Sequence, residues 1–283
     1  MQIAQLIKEN NKHAKTFYIL EYICGYTKAE MIADDSLELS VPEYEQYLSI
    51  LARLATNEPL AYIIGQQEFY ENTFLVNQDV LIPRPDTEIL VNFAIDYCTK
   101  IREKILFKPP IKILELGTGS GCIAISIDKF LRKINFNDIE IIAADVSVEA
   151  LTVARQNAII LSSDVQFMLS DWFSNIDLPS SECHGFDLII SNPPYIAAND
   201  RHMLDLKHEP KIALTDNLDG LSCLSHIINY GHPFLKSEGV IALEHGFDQA
   251  QHVSKLFTAA NFKNIQLLHD YGGNPRVSYG IKT

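Results

Sequence analysis

Apolar and polar positions change their rhythm twice along this 283-residue chain. From Met1 to about Gly65 the apolar positions recur in short runs at helical spacing, and no stretch alternates as a strand does. The clearest run is SVPEYEQYLSILARLATNEP, in which Ser40 can cap, Pro42 sits near the first turn, and Tyr44, Tyr47, Leu48, Leu51 and Leu54 share one face. QEFYENTFLVN then alternates around Glu71-Asn72, which predicts a hairpin linking the helical module to the rest of the chain. After Pro85, Asp86 or Thr87 can cap a helix through EILVNFAIDYCTKI, with Ile89, Leu90, Phe93, Ala94 and Tyr97 on its apolar face.

Beyond Pro110 the pattern becomes strands alternating with helices. IKILEL, EIIAAD, DVQFML, FDLIIS and GVIALEH are strands, with helices in GCIAISIDKFLRKI and SVEALTVARQNAII. Such alternation predicts an α/β fold, a doubly wound and mostly parallel sheet covered by helices on both faces. The last two strands, in NIQLLHDYGGNPRVSYGIK, have only DYGGNP between them, too short for a crossover, so they form an antiparallel C-terminal hairpin. The expected domains are residues 1–75, helical; 76–109, a hairpin and helix linker; and 110–283, the sheet domain.

Composition narrows the partners. Lys and Arg number 23 against 36 Asp and Glu, a net charge of −13, whereas a protein that grips bare nucleic acid needs a basic face. Five scattered cysteines, Cys24, Cys98, Cys122, Cys183 and Cys223, suggest neither a disulfide framework nor a zinc site. The start, MQIAQLIKENNKHAKTF, is too polar for a signal peptide, and no apolar run approaches the roughly 18 residues of a membrane span. A cytoplasmic protein that binds neither nucleic acid nor membrane is the expectation.

Candidate chemistry lies at the carboxyl ends of the predicted strands. The first runs into Glu115-Leu116-Gly117-Thr118-Gly119-Ser120-Gly121, where glycines let backbone approach a ligand at a helix N-terminus. Cys122 stands where a dinucleotide fingerprint needs its third glycine, so the acid followed by G-x-G-x-G suits S-adenosylmethionine better. Asp145 ends the next strand and can accept both ribose hydroxyls, or it can cap the helix beginning near Ser147. Glu115 organises the loop, binds a ligand ammonium, or serves structure alone. After the third strand comes Ser170-Asp171-Trp172-Phe173; a side-chain oxygen there can take an adenine amine, and Trp172 or Phe173 can wall the ring or fill the core.

The fourth strand ends in Asn192-Pro193-Pro194-Tyr195, beside the glycine loop at the topological switch point. A methyltransferase acting on a planar amine or amide must aim a weakly nucleophilic nitrogen and hold its hydrogens on acceptors. Asn192 Oδ1 and the Pro193 carbonyl can be those acceptors, the prolines stiffen the frame without competing N–H donors, and Tyr195 can lie flat against the target. Acceptors of this kind favour a nitrogen that is gaining positive charge.

ILELGTGSGCIAI, Asp145, SDWF and SNPPYI together resemble class I S-adenosylmethionine-dependent methyltransferases of the Asn-Pro-Pro-Tyr type. PLAYIIGQQEFY, LIPRPDTEILV and HEPKIALTDNLDGL are similar, more closely, to the PrmC/HemK family of bacterial release factor glutamine methyltransferases, over the chain from about Pro59 onward. The resemblance implies a class I methyltransferase-like domain with a small N-terminal helical domain that recognises substrate. It implies transfer of a methyl group from S-adenosyl-L-methionine to the glutamine side-chain amide of the Gly-Gly-Gln motif in class I peptide chain release factors, leaving S-adenosyl-L-homocysteine. Gly117, Thr118, Gly119, Ser120, Gly121, Asp145, Asp171, Trp172 and Asn192 would bind cofactor. Asn192, Pro193, Pro194 and Tyr195 would hold the glutamine, with Asn192, Pro193 and Tyr195 catalytic; a monomer without metal is expected.

Arg84, in the family's RPDTE stretch, would clamp an adjacent carboxylate or form a structural ion pair. Leu206-Lys207-His208 departs from the arginine or phenylalanine that family members often carry before Glu209-Pro210, so the loop is not assigned a catalytic part. The same tetrapeptide serves DNA adenine and RNA guanine methyltransferases, which the acidic charge disfavours. RPDTE and GTGSG disfavour the related ribosomal-protein glutamine enzyme. A non-catalytic scaffold would have no need of intact glycines, Asp145 and Asn192. His202 and His208 lack ligand spacing and read as solvated loop histidines.

Overall fold

A computed structural model describes residues 1–10, 14–104, 110–180 and 185–283, so Cys183 lies outside the described residues. The chain divides into two compact units, Met1–Gly65 and Gln66–Thr283.

The first unit is helical, with described helices Ile3–Glu9, Ala14–Cys24, Lys28–Ala33, Val41–Leu54 and Leu60–Ile64. Two of them begin in reciprocal capping boxes, Thr27 with Glu30 and Ser40 with Glu43, which satisfy orphan N–H groups in the first turn. Their apolar stripes meet in a core of Ile3, Leu6, Phe17, Leu20, Met31, Tyr47 and Ile50. On Val41–Leu54 the predicted face is right at Tyr44, Tyr47, Leu51 and Leu54 but not at Leu48, which is 47% exposed. Ile50 replaces it, because 47, 50, 51 and 54 follow the i, i+3, i+4, i+7 stripe, and Leu48 sits on the opposite flank of Tyr47.

The second unit opens with a hairpin, β1 (Gln66–Phe69) and β2 (Asn72–Leu75), in which Phe69 faces Asn72. Tyr70 and Glu71 form its two-residue turn with left-handed φ of 47° and 62°, the twist a tight hairpin requires. The hairpin is not a linker on the helical module. Phe69 and Phe74 are buried with Leu90, Val91 and Ala94 of helix Glu88–Lys104, and Asn157 bonds both backbone groups of Leu75. The division therefore falls at Gly65, ten residues before the expected boundary at 75, and the 76–104 stretch packs into the sheet unit. A short 3-10 turn, Pro85–Thr87, leads into that helix.

The main sheet comprises β3 (Ile111–Leu116), β4 (Ile139–Asp145), β5 (Gln166–Leu169), β6 (Phe186–Ser191), β7 (Leu235–Glu244), β8 (Lys263–His269) and β9 (Pro275–Ile281). Its order is β5-β4-β3-β6-β7-β9-β8; β3 to β7 run parallel, and β9 pairs antiparallel with both β7 and β8. The predicted doubly wound sheet with an antiparallel C-terminal hairpin is the observed fold. Alternation along each strand feeds two cores: Ile113, Leu188 and Ile190 on one face, Leu114, Leu116 and Ile189 on the other.

The chain winds outward from β3 to β5 and then returns to lay β6 against the opposite side of β3. The carboxyl ends of β3 and β6 are therefore neighbours, and the loops they release diverge and leave a crevice between them. Among the described residues no helix is long and apolar enough to cross a membrane.

Candidate active site

A cavity of about 440 Å³ opens at that crevice. Its lining brings together Gly117, Thr118, Gly119 and Ser120 of the glycine loop with Asp145, Asp171, Trp172, Asn192 and Pro194. Gly121 is not in the lining. A Cβ there would lie 2.9 Å from Ile125 Cδ1 and 3.3 Å from the Ala154 side chain, so this glycine lets helices Cys122–Lys133 and Val148–Leu161 close on each other. Pro193 and Tyr195 face a second, smaller cavity of about 220 Å³ with Arg84 and Leu206. Asn192 lines both cavities.

Glu115 is fully buried, and its Oε2 accepts hydrogen bonds from Thr118 Oγ1 at 2.7 Å and Ala124 N at 3.1 Å. It lies behind the cavity rather than in its wall, which favours the loop-organising role over an ammonium contact. Burial pushes its carboxyl up to about 8, partly offset by those two hydrogen bonds. A raised carboxyl holds its proton more tightly in the folded state, so its stabilising contribution is complete below the unfolded value and is lost as pH rises through about 8. Thermal unfolding should accordingly show stability declining between pH 5 and 8, and Glu115→Gln should remove roughly 1–3 kcal/mol of that decline; an unchanged decline in the variant would contradict it.

Asp145 ties the end of β4 to the loop. Its Oδ2 accepts from Gly119 N at 2.8 Å and its Oδ1 from Ser147 N at 2.9 Å. Ser147, not Asp145, caps the following helix, because the Ser147 hydroxyl accepts from Ala150 N. Burial raises the Asp145 carboxyl, and the backbone N–H groups pull it back. The carboxylate lines the cavity and has acceptor capacity beyond these backbone bonds.

Ser170 accepts from Asn175 N and donates to the Trp172 carbonyl, fixing a turn in which Trp172 adopts φ 48°. Trp172 reaches the cavity, whereas Phe173 stacks on Phe234 at 4.6 Å in the core. The wall is thus Trp172 alone of the two.

The tetrapeptide is braced by Thr87, Glu244 and Gln249, of which the sequence marks only Thr87, and then as a helix cap. Asn192 Nδ2 donates to the buried Thr87 Oγ1 at 3.1 Å, which orients the amide and leaves Oδ1 as its open acceptor. Tyr195 donates its hydroxyl to Glu244 Oε1 at 3.1 Å, and its backbone carbonyl accepts from Gln249 Nε2 at 2.9 Å. Burial raises the phenol, and the Glu244 carboxylate beside it raises it further. Arg84 pairs with the buried Glu209, whose other oxygen accepts from Ile82 N at 3.1 Å. That carboxylate joins the 201–221 loop, left unassigned from sequence, to the RPDTE stretch. Ile212, Ala213 and Asp216 of the same region line the main cavity. His208 is no solvated loop histidine, since its Nε2 is buried without a hydrogen-bond partner.

Residues 2–65 match the PrmC N-terminal domain and residues 90–209 the methyltransferase small domain. The release factor glutamine methyltransferase of Haemophilus influenzae is 36% identical over 99% of this chain and 96% of its own length. That of Neisseria gonorrhoeae is 38% identical over 93% of this chain and 90% of its own. This chain belongs to the release factor glutamine methyltransferase family. A solved methyltransferase from Pyrococcus furiosus, 16% identical, shares the fold with a TM-score of 0.54 over 83% of this chain and 98% of its own.

In this release factor glutamine methyltransferase family member the donor set fits S-adenosylmethionine. A carboxylate lining the cavity ends β4, left-handed glycines at 117 and 119 keep side chains out of the opening, and an aromatic wall stands at Trp172. A Cβ at either glycine would meet open space, so the left-handed backbone, rather than crowding, accounts for glycine at both positions.

Proposed function

We propose that this chain transfers a methyl group from S-adenosylmethionine to the side-chain amide nitrogen of the glutamine in the Gly-Gly-Gln motif of class I peptide chain release factors. The observation that carries the reading is Asn192, which lines both cavities with Nδ2 already committed to Thr87. A side-chain acceptor between a large cavity and a small one is what a reaction joining two ligands needs. Gly117 to Ser120, Asp145, Asp171 and Trp172 would hold the methyl donor in the larger cavity, and Pro193 and Tyr195 would seat the amide in the smaller. When bound, S-adenosylmethionine supplies an electrophilic sulfonium methyl and leaves as S-adenosylhomocysteine.

The chain's own residues then have a definite task. An amide nitrogen is a poor nucleophile because its lone pair is delocalised, so orientation must do much of the work. Asn192 Oδ1 and the Pro193 carbonyl accept the amide hydrogens, fixing the nitrogen's direction. Those bonds strengthen as the nitrogen gains positive charge, which lowers the barrier more than it tightens substrate binding, and the methylated nitrogen then releases one proton to solvent to give the neutral N-methyl amide. Tyr195 packs against the planar amide, and the two prolines keep the frame stiff. The helical unit Met1–Gly65 serves to seat the release factor, and the enzyme works as a cytoplasmic monomer, touching neither nucleic acid nor membrane.

Mass spectrometry of the Gly-Gly-Gln peptide, with and without the enzyme, tests the reading. One methyl group should appear on the glutamine only when enzyme and methyl donor are both present. A release factor carrying Gln→Ala in that motif should take up no label; labelling equal to the unaltered factor would overturn the assignment.

A further inference from the structure

Glu244 ends β7, and the parallel register that sets Leu243 opposite Ser191 brings it level with Asn192. It is 1% exposed, yet no cation neutralises it within ion-pair distance among the described residues. The nearby guanidinium of Arg276 pairs through Nη2 with Asp86 at 3.0 Å and Asp270 at 3.3 Å, and its buried Nε has no hydrogen-bond partner. Glu244 Oε1 accepts the Tyr195 hydroxyl, and its Oε2 has no hydrogen-bond partner. A buried carboxyl so poorly compensated is costly to stability. Burial raises it to about 7, and the Thr87 and Tyr195 hydroxyls and the charge of Arg276 draw it back.

The two hydroxyls that act on Glu244 belong to the two sides of the acceptor frame. Tyr195 is the wall, and Thr87 is the group that orients Asn192 through its 3.1 Å hydrogen bond. A leucine here would relieve the burial cost but would leave the phenol of Tyr195 without its acceptor.

Resting on the proposed amide methylation, we propose that Glu244 is a positioning residue for that reaction: its buried carboxyl accepts the Tyr195 hydroxyl and so fixes the ring against which the planar amide is received. It touches neither substrate nor methyl donor and acts through Tyr195. A misplacement of about 1 Å in such a frame costs on the order of 100-fold in rate.

The test is a double-mutant cycle on the full-length enzyme, with kcat and KM for methylation of a release factor and calorimetric affinity for S-adenosylmethionine. Glu244→Ala should lower kcat ~10- to 100-fold with cofactor affinity changed less than about threefold. Glu244→Gln, which keeps an oxygen for the phenol to donate to, should recover most of the lost kcat. Adding Glu244→Ala to Tyr195→Phe should cost almost nothing further, because the hydroxyl it holds is already gone. Losses that multiply in the double variant, or a wild-type kcat in Glu244→Ala, would overturn the positioning role. If Glu244→Ala does not fold, Glu244→Leu in the Tyr195→Phe background makes the same comparison, since that background has no phenol to strand. Wild-type enzyme that leaves the glutamine unmodified would instead refute the methylation reading itself.

Discussion

Asn192→Ala is expected to lower kcat/KM for release factor methylation by at least ~100-fold while weakening S-adenosylmethionine binding only severalfold. Removing a single group aimed at developing charge costs roughly 100- to 1,000-fold, or about 2.7–4 kcal/mol of barrier. The larger cavity, proposed for the methyl donor, has many other walls, including Asp145, Trp172 and the glycine loop, so affinity there should depend on Asn192 only in part. Alanine also frees Thr87 Oγ1 from the Asn192 amide without crowding its neighbours. Transfer of radiolabel to a purified release factor, together with a calorimetric titration of the cofactor, separates the two effects. Undiminished labelling would defeat the mechanism.

Gly220→Ala should damage both stability and rate although residue 220 lines neither cavity. Gly220 holds φ at +80°, and a Cβ there would lie 2.2 Å from the Tyr195 carbonyl oxygen and 2.9 Å from its carbon. The turn cannot give easily. Asp216 accepts from Leu218 N, Gly220 N and Ser222 N, and Gln249 Nε2 donates to the carbonyls of both Tyr195 and Gly220. Left-handed geometry costs a side chain about 1–2 kcal/mol, and overpacking typically adds 1–3 kcal/mol. A fall of ~5 °C or more in Tm is therefore expected, with kcat reduced because the displaced atoms belong to the tetrapeptide. Gly273→Ala provides the comparison: its φ is +81°, yet its Cβ would meet nothing within 4 Å. If the two variants lose the same stability and keep the same kcat, the contact with Tyr195 is not what requires glycine at 220.

Gly121 and Asp145 show how far spacing alone places a residue at the cavity. Gly121 closes the glycine loop after β3 and Asp145 ends β4, and Asp145 does line the cavity. Gly121 belongs to the glycine motif, yet it meets Ile125 and Ala154 instead. A motif specifies residue types at offsets, but which of them face ligand depends on the helix that packs behind. The hairpin 66–75 makes the same point for domains: its alternation was plain, but the unit it joins was decided by Asn157, 82 residues beyond Leu75.

From its own order the chain determined the alternation of strands and helices, the antiparallel end of the sheet, and the two loops that carry glycines and prolines. These follow from local periods, two residues in a strand and 3.6 in a helix, and from the backbone limits of glycine and proline. The tertiary structure alone decided that Arg84 meets Glu209 across 125 residues, that Asn192 is held by Thr87 across 105, and that Tyr195 rests on Glu244 across 49. Such partners obey no spacing rule. They are selected because a polar group taken out of water by the fold must find a hydrogen bond wherever the winding of the sheet has placed one.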